Sequence, residues 1–253
     1  MKNNTVDNGQ IFDFGRTASE YAKYRDIYPQ KLYDRLYELG IGCTGTNWLD
    51  LGTGTGVIPR GLAKHGANII ATDISPKQIE QARILSEDFK NISYFTLAAE
   101  DIDYPENSFD VITACQCFWY FNPDIIVPKI KRMLKPGGLF LKLYMSYLKD
   151  DPIASRSHAL VQELNPDWKG SSPPVQDLKT HYFDNPQMEN FIIDLPFTRD
   201  TWHGRIRASR GVMASMDNKA LQKFETAHRK MLEETLPEKF SVRHKVFLTY
   251  YVI

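Results

Sequence analysis

Leu49-Asp50-Leu51-Gly52-Thr53-Gly54-Thr55-Gly56-Val57 joins a short apolar run to three glycines at alternate positions, and its reading decides the fold. Residues 47–51 (NWLDL) have the length and apolar content of a buried strand, and Val57 opens a stretch with apolar residues at helical spacing. Glycine adopts positive φ without strain and lets a ligand approach the backbone, so a glycine-rich turn at the carboxyl edge of a first strand is a ligand bed. Two familiar ligands do not fit the spacing. A dinucleotide fingerprint counted from Gly52 needs a third glycine where the branched Val57 stands, and a phosphate loop needs Gly-Lys-Ser/Thr, which does not follow. Asp50, just ahead of the turn, sets a carboxylate beside the ligand, which repels a pyrophosphate and suits an ammonium group. The loop points to a cationic ligand that carries an amino acid.

Outward from the loop, residues 68–72, 92–96, 109–114 and 138–144 read as four more buried strands, and 57–65, 76–89 and 125–134 as helices between them. That alternation predicts an α/β protein with a parallel sheet wrapped by helices. Ser75 before Pro76 predicts a serine N-cap with proline in the first turn, and Pro136-Gly137-Gly138 predicts the stop of the third helix. The second strand ends at Asp73, 17 residues beyond Gly56, where a carboxylate can accept both hydroxyls of a ribose. The third ends near Glu100-Asp101, where either acid can take the amino group of an adenine.

In this order and spacing the motifs resemble those of class I S-adenosylmethionine-dependent methyltransferases: LDLGTGTG as the glycine-rich motif, Asp73 as the ribose acid, AAEDIDYPENSFDVI as the adenine-side segment and LKPGGLFLKLY after the fourth strand. The resemblance is strong over residues 46–145. It implies a Rossmann-like, doubly wound, mostly parallel sheet of seven strands in the order 3-2-1-4-5-7-6, closed by an antiparallel hairpin that would be 191–195 and 245–253. It also implies S-adenosylmethionine as cofactor, leaving as S-adenosylhomocysteine. The front end, 14–29, with Tyr21, Tyr24, Arg25 and Tyr28, is similar to the small-molecule branch of type 11, trans-aconitate methyltransferase-like proteins, in which tyrosines and an arginine cover the methionine end of the cofactor. That branch has proline after the arginine, where this chain has Asp26. The cofactor set implied is Tyr21, Arg25, Asp50, Gly52, Thr53, Gly54, Gly56, Asp73, Ile74, Ala99, Glu100, Asp101 and Gln116. Gln116 lies in Cys115-Gln-Cys-Phe-Trp119-Tyr120-Phe121 after the fourth strand, similar to the family's position for the reacting methyl. Trp119 and Tyr120 are candidates for the acceptor pocket, since aromatic faces attract a sulfonium cation.

The segment Trp202-His203-Gly-Arg205-Ile-Arg207-Ala-Ser209-Arg210 concentrates basic side chains and is the second candidate for the acceptor, with Trp202 and Arg205 able to engage a carboxylate or phosphate. Methyl transfer has no obligatory acid or base; His203 and Tyr21 are the only candidates for a base. Residues 1–45 are expected to form an N-terminal helical cap and 46–253 the methyltransferase domain, with 147–190 as a lid insertion.

Lysine plus arginine and aspartate plus glutamate number 31 each, so no global field draws the chain to nucleic acid or an acidic membrane, and a small-molecule partner is expected. Three cysteines without metal spacing predict reduced thiols and no metal site, and a polar Met1–Gln10 without an apolar core predicts a cytoplasmic protein. Two other classes stay open on the residues alone: a nicotinamide-dependent oxidoreductase on the same kind of sheet, and a non-catalytic S-adenosylmethionine-binding module. Oligomeric state leaves no mark on the sequence.

Overall fold

The computed structural model describes residues 13–168, 170 and 181–253. Seven strands form one sheet in the order β3-β2-β1-β4-β5-β7-β6, as the resemblance implied. They are β1 Asn47–Leu51, β2 Asn68–Asp73, β3 Ile92–Thr96, β4 Phe109–Cys115, β5 Leu134–Tyr147, β6 Gln187–Thr198 and β7 Lys239–Val252. β1 pairs in parallel with β2 and β4, β2 with β3, and β4 with β5. β7 is antiparallel to β5: Gly137 donates to Ile253 at one end and Leu148 to Arg243 at the other, so numbers fall on one strand as they rise on its neighbour.

The helices are α1 Ala18–Tyr24, α2 Gln30–Glu38, α3 Val57–Leu62, α4 Pro76–Leu85, α5 Pro123–Met133, α6 Pro152–Leu164, α7 Arg199–Arg207 and α8 Asn218–Thr235. Ser75 is the N-cap of α4 with Pro76 in its first turn, as predicted. α5 ends at Met133, within a residue of the predicted stop, but Pro136-Gly137-Gly138 lies inside β5 and not in a turn. Pairing with the chain's last residue extends the strand through them, since Gly137 donates to Ile253 and Ile253 to Gly138.

Two compact units emerge: Met1–Ile27, Met145–Leu178 and Phe191–Val246 make unit 1, and Tyr28–Tyr144, Lys179–Asn190 and Phe247–Ile253 make unit 2. The division runs elsewhere than a cap at 1–45 and a lid at 147–190: α2 falls in unit 2, and α7 and α8 fall in unit 1. Residues 1–12 and 171–180, which include the polar N-terminus and the middle of the expected lid, lie outside the described residues.

Unit 2 is organised by the alternation of β1. Leu49 and Leu51 point into a cluster with Ile112, Phe118, Ile126, Ile130 and Phe140, all buried between the sheet and α5. Asp50, between the two leucines, points to the other side of the strand. On unit 1, Trp202 of α7 is fully buried, with Tyr147 and Phe197 edge-on at 5.7 and 5.0 Å. Among the described residues no helix is long and apolar enough to cross a membrane.

Candidate cofactor site

The turn after β1 is held open by three left-handed residues: Gly52, Gly54 and Gly56 have φ of 64°, 58° and 75°. A Cβ on Gly52 would lie 2.7 Å from Cys117 Sγ, and one on Gly56 would collide with the Tyr94 hydroxyl. Both glycines are therefore required by packing as well as by φ. Gly54 differs, because a Cβ there meets only Gln78 Oε1, at 4.0 Å. The middle glycine faces open space that a ligand can enter.

Asp73, at the tip of β2, ties this turn to the sheet. One carboxylate oxygen accepts the Gly54 N–H at 2.9 Å and the other the Ser75 N–H at 2.9 Å, while Thr53 N–H donates to Thr72 O at 2.8 Å. Burial pushes the Asp73 carboxyl up and the two N–H donors pull it back. Each oxygen retains a lone pair, so the carboxylate can still accept two hydroxyls. Beside it Ile74 is 51% exposed, a flat apolar surface next to the acid.

Asp50 is deeper than a ligand contact at the loop's surface would be. It is 1% exposed and accepts from the Thr113 hydroxyl at 2.5 Å, which in turn accepts from Trp48 Nε1 at 2.8 Å. Burial pushes its carboxyl up to about 6.

At the third strand tip the two acids separate. Glu100 accepts the Asn122 N–H at 2.7 Å at the start of α5, while its carbonyl takes Lys129 Nζ at 2.8 Å. Asp101 is exposed and Ala99 is buried. At the fourth tip Gln116 has φ of 66°, rare for a residue with a side chain, fixed by its N–H donating to Leu143 O at 2.8 Å. After it, Trp119 lies 5.1 Å from Tyr120 and 5.5 Å from Tyr144, ring to ring. Thus Asp50, Gly52, Thr53, Gly54, Gly56, Asp73, Ile74, Ala99, Glu100, Asp101, Gln116, Trp119 and Tyr120 all belong to unit 2.

The remaining sequence candidates belong to unit 1. Arg25 lies over the Tyr21 ring, 4.9 Å from its centroid. Trp202 donates through Nε1 to Ser157 Oγ at 3.0 Å and has no exposed surface. His203 is 1% exposed, with its Nδ1 2.9 Å from His228 Nδ1, and burial pushes its imidazole down to about 4. Arg205 is 4% exposed.

Sequence reasoning missed several members of the loop. Cys117 donates its thiol to Leu51 O at 3.1 Å and fills the space beside Gly52; Tyr94 does the same beside Gly56. Thr55 and Thr72 keep hydroxyls buried with no partner among the described residues. No local pattern marks these four, since their roles depend on strands meeting. The unpaired hydroxyls, the open side of Gly54 and the spare lone pairs of Asp73 fit a ligand with a ribose diol and further polar groups. No group of acids, histidines and cysteines able to hold a metal occurs among the described residues.

Residues 49–141 match a family model described as a methyltransferase domain. The ubiquinone biosynthesis O-methyltransferase of Dechloromonas aromatica is 27% identical over 157 residues, 58% of this chain and 66% of its own. The enzyme of the same name from Thiobacillus denitrificans is 30% identical over 143 residues, 53% and 61% of the two chains. This chain spans about half to two thirds of the length of the curated relatives it matches. Among solved structures, a candidate type II methyltransferase from Anaeromyxobacter dehalogenans superposes with a TM-score of 0.62 at 23% identity, over 89% of this chain and 96% of that one. Phosphoethanolamine N-methyltransferase 2 of Haemonchus contortus gives 0.51 at 17%, over 92% and 57%. These two share the fold. The family match shows a methyltransferase domain over residues 49–141, and the sheet order and the two solved structures show the fold that carries it.

Proposed function

We propose that the protein is a methyltransferase that transfers the methyl group of S-adenosylmethionine to a small-molecule acceptor, with a carboxylic acid as the favoured class. The observation that carries the reading is the buried Asp73 carboxylate, clamped on Gly54 and Ser75 beside a glycine whose open side faces a ligand. In this reading Asp73 takes the ribose hydroxyls, Ile74 and Ala99 border the adenine, and Asp101, the freer of the two acids, takes its amino group. Asp50 stiffens the loop through Thr113 and contributes its charge to the ammonium end. Gln116, Trp119 and Tyr120 line the reacting end. The bound cofactor supplies a methyl carbon already activated by a positive sulfur. The protein's own task is to orient the acceptor and exclude water, which can account for most of the rate without an acid or base.

Of the basic groups in 202–210 only Arg205 supports an acid acceptor, since Arg207 pairs with Glu20 and Glu225, Arg210 donates to Gly170 O and His203 is pushed down to about 4; the balanced net charge argues against a nucleic-acid partner. Free thiols at Cys43, Cys115 and Cys117 suit a cytoplasmic setting. Calorimetric titration with S-adenosylhomocysteine tests the donor half. Wild type is expected to bind, and Asp73→Ala, which loses two acceptors and unfastens Gly54, to bind about 100-fold more weakly, on the order of 3 kcal/mol for hydrogen bonds to a charged group. Absence of binding to wild type would overturn the reading, and binding without turnover on any acid, amine or phenol would favour a non-catalytic module.

A further inference from the structure

The basic run Lys129-Ile-Lys131-Arg132-Met-Leu-Lys135 spans the end of α5, and its cations divide their work. Arg132 pairs with the Asp103 carboxylate and Lys135 with that of Asp110 at 2.8 Å, both ion pairs between side-chain tips. Lys131 is exposed. Lys129 instead binds backbone: its ammonium donates to Glu100 O at 2.8 Å and to Ile102 O at 3.0 Å. Those are the carbonyls of the residues immediately before and after Asp101.

This bracket completes the backbone of the turn at the third strand tip. Asp101 N–H donates to Ala98 O at 3.1 Å and Ile102 N–H to Ala99 O at 3.3 Å. The peptide between Glu100 and Asp101 is thus held at its N–H by the turn and at its C=O by Lys129. Ala99 and Ile102 are buried in one cluster with Ile126 and Ile130 of α5, which anchors both ends of the turn, while Asp101 between them stays exposed. Packing sets where the turn lies. The two charge-assisted carbonyl bonds set how its peptide planes are rotated, and with them the direction in which the Asp101 side chain leaves the backbone. Glu100 is occupied elsewhere, its carboxylate accepting the Asn122 N–H at 2.7 Å. All these residues belong to unit 2.

We propose that Lys129 is a positioning residue that sets the cofactor site's selectivity for adenine, by fixing the turn from which the Asp101 carboxylate meets the exocyclic amino group of the base. This deepens the methyltransferase reading and rests on it, since there Asp101 takes that amino group. A carboxylate accepts from an amino group and repels a carbonyl oxygen, so a carboxylate held in place discriminates between bases and one free to swing away does not.

The test compares S-adenosylhomocysteine with S-inosylhomocysteine, whose base carries a carbonyl oxygen in place of the amino group, by calorimetric titration into wild type and variants. Wild type is expected to prefer the adenosyl compound by about tenfold or more, the size of a hydrogen bond to a charged group. Lys129→Met should bring the ratio to about one through weaker adenosyl binding, with the inosyl compound bound no more weakly than by wild type. Lys129→Arg, which keeps donors for two carbonyls, should restore most of the ratio. Lys131→Met, which removes the same charge from an exposed position of the same helix, should leave it unchanged. In Asp101→Ala the ratio should already be lost, and adding Lys129→Met should change it no further, because the lysine acts through the acid. If Lys129→Met fails to fold, Lys129→Gln, a shorter and neutral donor, reads the same ratio. The proposal falls if these Lys129 variants keep the wild-type ratio, if Asp101→Ala keeps it, or if Lys131→Met lowers it as far as Lys129→Met does. Binding of both compounds to wild type without preference would overturn the proposal and leave the methyltransferase reading standing, whereas binding of neither would overturn that reading and the proposal with it.

Discussion

At the scale of single residues, the three glycines of one loop perform different work, and substitution separates them. Gly54→Ala places a methyl group in open space at φ of 58°, so its cost to stability is the left-handed strain alone, about 1–2 kcal/mol. The same methyl group occupies the space through which a ligand would reach the backbone, so S-adenosylhomocysteine affinity is expected to fall by more than 100-fold. Gly56→Ala adds a collision with the Tyr94 hydroxyl to strain at φ of 75°, and its loss is expected first in stability, beyond that of Gly54→Ala. Urea unfolding and calorimetry on both variants give the two rankings; equal destabilisation, or equal loss of binding at equal stability, would contradict the assignment. The glycines and Asp73 were legible in the sequence because loop and strand tip have local signatures. Thr55, Thr72, Cys117 and Tyr94 were not, since what they touch is set by neighbours in the sheet. Asp50 was legible as a loop acid but not as a buried one, because its partner, Thr113, arrives from a strand 63 residues later.

At the scale of elements, unit 1 is joined by a hydrogen-bonded chain from α6 through α8 to α7. Ser157 Oγ donates to Ile153 O at 3.2 Å, which leaves it to accept from Trp202 Nε1 at 3.0 Å and from His228 Nε2 at 2.9 Å. His228 therefore carries its proton on Nε2, and its bare Nδ1 accepts from the protonated Nδ1 of His203. His203, a base candidate by sequence, here has its Nδ1–H committed to holding α7 on α8. Ser157→Ala would leave two buried donors without an acceptor, at about 1–3 kcal/mol each, so a loss of about 2–4 kcal/mol is expected by urea unfolding. Ser157→Thr, which keeps the hydroxyl, should recover part of it; a neutral Ser157→Ala would show that the chain of bonds contributes nothing. None of this could be read from spacing, because Ser157, Trp202 and His228 are 45 and 71 residues apart along the pairs they form. The strands of β1 to β4 were placed within a residue or two, as their apolar runs are short and bounded. β5, β6 and β7 are longer than their apolar runs, because pairing between strands, rather than composition, carries them on.

At the scale of the whole molecule, the buried histidines set how stability answers to acid. Burial pushes His203 and His244 down to about 4 and His228 to about 3, against an ordinary value of about 6.5 in the unfolded chain. Below pH 6.5 the unfolded chain binds protons that the folded one refuses, so stability is full above that value and drains away as pH falls towards 4. The rate is about 1.4 kcal/mol per pH unit for each histidine that titrates independently. Asp50 acts in the opposite sense. Its carboxyl, raised to about 6, holds a proton in the folded state between about 6 and 4 that the unfolded chain has released, so the fold gains there as pH falls. Three histidines outweigh one carboxyl, and a net loss of about 4 kcal/mol between pH 7 and pH 5 is expected, read as the difference in urea unfolding free energy at the two values. Asp50→Asn removes the opposing contribution, so its pH 7 to pH 5 loss should exceed that of wild type. A stability that stayed level between pH 7 and pH 5 would mean that these histidines titrate in the folded protein, and the buried chain of α6, α7 and α8 would have to open to let them.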